Sequence, residues 1–133
     1  MKELNIINNE TVMIEDGINT LVEKCFRNSV KSGWWTDINT GAPLERNQGE
    51  MLMLIVSEIA EAMEACRKNL VSDKIDGYLG VEEELADAVI RIADFCGGFD
   101  LDLAGAILDK LEYNATREDH KISNRLLEDG KKW

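Results

Sequence analysis

Apolar residues recur every three to four positions through four stretches of the chain, and polar, glycine-bearing segments separate them. That spacing predicts amphipathic helices and no strand. The first helix is predicted over residues 11–30, with Val12, Ile18, Leu21, Val22, Cys25 and Phe26 on one side and an imperfect register near Gly17. Residues 31–49 read as a loop, punctuated by Gly33, Gly41 and Pro43, with Trp34 and Trp35 near its start. The second helix is predicted over 48–69, its stripe made of Leu52, Ile55, Ile59, Ala62, Met63 and Cys66. A loop with Ser72, Asp73, Asp76, Gly77 and Gly80 leads to a third helix over 81–99. Val81, Leu85, Ala88, Val89, Ile92 and Cys96 point inward there, and Gly97-Gly98 ends or weakens its last turn. The fourth helix is predicted over 101–117, capped by Asp100 or Asp102, with Leu103, Ile107 and Leu111 apolar. Residues 118–133 form a polar, loosely held tail. The expected fold is all-α: one domain over 1–133 with its core at about 11–117, arranged as a helix bundle.

Composition narrows the function. The 133 residues carry 15 basic and 26 acidic side chains, a net charge of −11. Such a surface disfavours a DNA or RNA polymer or an anionic membrane as partner. No stretch has the length and apolarity of a membrane span, and residues 1–10 lack a signal-peptide core. Cys25, Cys66 and Cys96 fall in helical runs and read as reduced thiols of a cytoplasmic protein. His120 is the single histidine. That argues against zinc, and against a di-iron bundle, which needs two Glu-x-x-His motifs. No phosphate-binding G-x-x-x-x-G-K-[ST] loop occurs.

Two acidic pairs give the candidate chemistry. Glu58 and Glu61 lie in the second helix, Glu84 and Asp87 in the third, and 22 residues separate Glu61 from Glu84. Each pair is spaced i, i+3, so its carboxylates share a helix face. On its own, either pair is the solvated face common in acidic proteins. Both, however, fall at the margin of an apolar stripe, on consecutive helices whose small residues (Ala60, Ala62, Ala86, Ala88) permit close approach. Four carboxylates around one volume repel each other unless a cation joins them, and oxygen-only ligands suit Mg²⁺, with Mn²⁺ as substitute.

The strings Ser57-Glu58-Ile59-Ala60-Glu61 and Glu83-Glu84-Leu85-Ala86-Asp87 resemble the Glu-Glu-x-x-Glu … Glu-x-x-Asp pattern of the all-α NTP pyrophosphatases, MazG-like branch. Ser57 stands where that pattern has its first Glu. Downstream, Lys110-Leu111-Glu112-Tyr113-Asn114-Ala115-Thr116-Arg117 is similar to the family's lysine–asparagine–arginine segment. The Gly33-Trp34-Trp35 stretch resembles small phage and bacterial members, and the likeness spans about residues 22–117.

The resemblance implies four-helix protomers completed by oligomerisation, as a homodimer or homotetramer. It implies Mg²⁺-dependent cleavage of a (d)NTP to (d)NMP and pyrophosphate, for nucleotide-pool control or house-cleaning. Relatives differ in base, and some phage-type members act on dGTP. Glu58, Glu61, Glu84 and Asp87 are then the expected metal ligands, with Glu58 or Glu61 activating water. Lys110 and Arg117 would neutralise phosphates, Asn114 would hydrogen-bond sugar or phosphate, and Trp34 or Trp35 would stack on the base. Without the family pattern, Lys110 and Arg117 read equally as cations complementing a helix C-terminus. Arg91 is expected to pair with Asp87 or Asp94. The competing class is a non-catalytic helical interaction or regulatory module, which would bind no Mg²⁺ and release no pyrophosphate.

Overall fold

The structure, a computed structural model, describes residues 2–133, with side chains from residue 9 onward. Its elements are α1 (Lys2–Lys31), α2 (Gln48–Lys68), α3 (Gly80–Gly98), α4 (Leu103–Thr116), a 3₁₀ turn (Glu118–His120) and α5 (Ile122–Arg125). The described residues form no strand, only isolated bridges between Thr36 and Pro43 and between Val71 and Leu79. The all-α expectation holds. No described helix is long and apolar enough to cross a membrane.

The chain divides into two compact units. One is Thr20–Leu101: the C-terminal part of α1, its following loop, and the α2/α3 pair. The other joins the stretch ending at Asn19 to Asp102–Trp133.

Helix ends follow local chemistry. Asn47 caps α2, its side chain accepting from the Glu50 N–H, and Asn69 ends that helix in the left-handed region at φ 51°. Asp102 caps α4 by accepting from the Gly105 N–H at 2.8 Å. At the start of α3 the Glu82 carboxylate reaches back to the Leu79 N–H at 2.7 Å. Between α2 and α3 the loop closes on itself. Ser72 Oγ accepts from the N–H groups of Lys74 and Ile75 and donates to the buried Glu83 carboxylate. Lys74 Nζ stands 2.6 Å from Glu83 Oε1, off the hydrogen-bonding direction, as an ion pair.

Several expectations need correction. α1 begins before residue 11 and runs through Gly17 without a break. Gly97 and Gly98 are the last two residues of α3, as expected, but their role goes beyond ending it. A Cβ at Gly97 would stand 2.5 Å from Phe26, and one at Gly98 would enter the Trp35 ring, so both serve close packing. The tail is folded: Arg125 donates to the carbonyls of Lys131 and Lys132, and Lys132 Nζ to those of Arg125 and Leu127.

The largest correction concerns which helix face is buried. Leu52, Ile59 and Met63 of α2, and Leu85 and Val89 of α3, are exposed. Cys66 is exposed as well. The buried set is Met51, Glu58, Ala62 and Ala65 on α2, with Glu83, Ala88, Ala93, Phe95 and Cys96 on α3. Alanines allow the two backbones to approach, so the pair closes along the acid-bearing face. The bulky stripe is left outside in the single chain. On α4 the fully buried residue is Ala104, while Leu111 is exposed.

Candidate functional site

The α2/α3 pairing brings Glu58, Glu84 and Asp87 together: one carboxylate oxygen from each lies within 4.8 Å of the others. Glu58 comes from the buried face of α2, and Glu84 and Asp87 from adjacent turns of α3. Glu58 is only 7% exposed. Its Oε1 accepts from Arg91 Nε at 2.6 Å, which corrects the expected pairing of Arg91 with Asp87 or Asp94. Glu84 Oε2 is buried and has no hydrogen-bond partner. Burial pushes the Glu84 carboxyl above its ordinary value; Glu61, Glu83 and Glu58 add repulsion, against an opposing pull from Lys74. Glu61 stays outside the three-residue cluster on an exposed position, close enough for its charge to act on Glu84.

This arrangement fits a divalent cation. It offers hard oxygen donors from two helices, and Glu84, one of the three residues, has a buried carboxylate oxygen without a hydrogen-bond donor. Glu58, Glu84 and Asp87 are the side chains that could hold such an ion between them. Glu83, although inside the motif, is taken by Ser72 and Lys74. The Lys74 ion pair, and after it the Ser72 hydrogen bond, hold its carboxyl below the usual glutamate range.

A cavity of about 430 Å³ opens beside the cluster, with Asp87 and Arg91 in its wall. Its lining includes the apolar Met51, Leu54 and Ile90, the aromatic Trp34, and the polar Asn28, Ser32 and Arg46. The adjacent tryptophans have different surroundings. Trp35 packs edge-on against Phe26 and Phe99, with ring centroids 5.5 and 5.6 Å away, and its indole N–H donates to Asp94. Trp34 is 65% exposed and lines the cavity, its carbonyl accepting from Arg46.

Lys110, Asn114 and Arg117 belong to the other compact unit. Lys110 Nζ and Arg117 Cζ lie over the Tyr113 ring, 4.5 and 5.7 Å from its centroid. Arg117 stands just past the end of α4 and grips Asp119 with two hydrogen bonds, of 2.9 and 2.7 Å. Asn114 Oδ1 is buried without a partner.

Sequence reasoning missed Asn28, Ser32 and Arg46 as cavity residues. Each is an ordinary surface residue type, and no spacing signal marks it. No protein-family model, curated protein or solved structure matches the chain.

Proposed function

We propose that this protein is a Mg²⁺-dependent nucleoside triphosphate pyrophosphohydrolase, converting a (d)NTP to a (d)NMP and pyrophosphate. The observation that carries the reading is the convergence of Glu58, Glu84 and Asp87, with Glu84 carrying a buried oxygen that has no hydrogen-bond partner. Mg²⁺ held by these carboxylates, or Mn²⁺ in its place, would offset triphosphate charge and make the phosphorus more electrophilic.

The chain's own groups supply the rest. Glu61, exposed and outside the cluster, orients a water and takes its proton as the oxygen adds to phosphorus at the α–β anhydride. Glu58 is less suited to that role, because Arg91 already holds one of its oxygens. The anhydride oxygen departs with pyrophosphate. The cavity has the volume to take a nucleoside, with the exposed Trp34 available to stack on the base. Trp35 instead braces the loop. Lys110, Asn114 and Arg117 keep the phosphate and sugar roles that the family resemblance implies, and Arg117 would exchange Asp119 for phosphate.

The site works in a homo-oligomer, a dimer or a dimer of dimers, whose four-helix protomers are completed by association. Leu52, Val56, Ile59 and Met63 recur on one side of α2 and are exposed, as are Leu85 and Val89 on α3. Such stripes call for a helical partner, and a second copy supplies one. The free thiols Cys25, Cys66 and Cys96 suit the cytoplasm. The same stripes would equally serve an interaction module without chemistry, and product analysis separates the two. Pyrophosphohydrolase activity of the proposed kind yields monophosphate and pyrophosphate, never diphosphate and phosphate, and stops in EDTA. A chain that self-associates but leaves every triphosphate intact is an interaction module.

A further inference from the structure

Arg91 is a cation already seated in the acidic cluster. Glu58 is buried, and a bare carboxylate there would be costly. Arg91 Nε meets its Oε1 at 2.6 Å, while the Arg91 side chain as a whole is 43% exposed. Along α3, Glu84, Asp87 and Arg91 follow at i, i+3 and i+7, which places the guanidinium on the acidic face, at the cavity wall it shares with Asp87. A divalent ion bound among Glu58, Glu84 and Asp87 and the Arg91 guanidinium therefore seek the same carboxylate, and the two positive charges repel each other.

We propose that Arg91 is the internal counter-ion of this cluster: it holds Glu58 while no metal ion is present and is displaced from it when a divalent cation binds. Arg91 is thus a positioning residue that keeps Glu58 in place for the ion and tunes how tightly the ion is held. The inference rests on the cation-binding reading above. One consequence is that the metal-free protein is poised rather than preassembled, because every ion that binds must first displace a charge-assisted hydrogen bond.

The test uses Mn²⁺ titration of the full chain without nucleotide, followed by electron paramagnetic resonance, on the wild type and Arg91→Gln. With the competitor removed, Arg91→Gln should bind Mn²⁺ about tenfold more tightly, an expectation scaled for a partly exposed charged hydrogen bond. Its melting temperature should also rise more on Mn²⁺ addition than that of the wild type. If Arg91 were purely structural, Arg91→Gln would lower stability equally with and without the ion. Equal or weaker binding by Arg91→Gln overturns the inference while leaving the cation site standing. No binding by either protein overturns the cation reading, and this inference with it. If Arg91→Gln does not fold, the wild type decides through its Arg91 Nε–H resonance under Mg²⁺ titration. That proton should lose its protection from solvent exchange as the site fills; unchanged protection at saturation overturns the displacement.

Discussion

The Trp35 indole N–H donates to Asp94 Oδ1 at 2.9 Å, across 59 positions of sequence, and Ser29 Oγ donates to the other oxygen at 3.0 Å. One carboxylate of α3 thereby ties down both the end of α1 and the loop that follows it. Asp94→Ala leaves the indole N–H without its acceptor and should cost roughly 1–3 kcal/mol in denaturant unfolding. Asp94→Asn keeps one acceptor and should lose less. Mn²⁺ binding should survive in both, since Asp94 is outside the acidic cluster.

Two glycines inside helices should respond oppositely to alanine. At Gly98 a Cβ enters the Trp35 ring, so Gly98→Ala should destabilise by about 1–3 kcal/mol. At Gly17 no atom lies within 4 Å of the added methyl, so Gly17→Ala should stabilise by about 0.5–1 kcal/mol. Thermal unfolding of the two variants checks both signs.

This contrast also shows what the sequence could tell. Periodicity located all four long helices, because a 3.6-residue repeat survives whichever partner a helix meets. The inward face was misread, because periodicity finds an apolar stripe without saying what covers it. In α2 and α3 the alanines and acids pack together, and Leu52, Ile59, Leu85 and Val89 face out. Gly97 and Gly98 were legible as the end of α3, but their packing role was not, because local propensity does not register an aromatic ring across the interface. Glu58, Glu84 and Asp87 were legible as a group through their i, i+3 spacing on consecutive helices. The cavity was not legible, since Asn28 and Arg46 come together only through the path of the loop.

The acidic residues should separate by role. Asp87→Asn and Glu84→Gln each remove a charged donor from the cluster and should weaken Mn²⁺ binding by at least about tenfold. Glu61→Gln should leave Mn²⁺ affinity near the wild-type value and lower turnover, as expected of a group acting on water. Calorimetric titration combined with steady-state kinetics distinguishes the two patterns. Full turnover by Asp87→Asn at limiting Mg²⁺ would remove it from the site.

Acidity should move cation binding and the Glu84 contribution to stability in opposite senses. The Glu84 pKa in the folded chain lies above its ordinary value of 4.5, chiefly through burial. The folded state thus holds that proton more tightly than the unfolded one. Its contribution to metal-free stability is present below the ordinary value and is lost as pH rises through the raised one. Cation binding needs the ionised carboxylate and should strengthen across the same window. Glu83, lowered chiefly by Lys74, works the other way: its contribution is present above 4.5 and is lost as pH falls through the depressed value. Unfolding midpoints of the wild type, Glu84→Gln and Glu83→Gln from acid to neutral pH resolve the two contributions.

The most direct test is pyrophosphate release from the standard ribo- and deoxynucleoside triphosphates, with Mg²⁺, Mn²⁺ or EDTA, by the wild type and Asp87→Asn. The account predicts metal-dependent release of pyrophosphate with a matching monophosphate, abolished by EDTA and strongly reduced in Asp87→Asn. Release that persists in EDTA, or no release from any triphosphate with either metal, would contradict it.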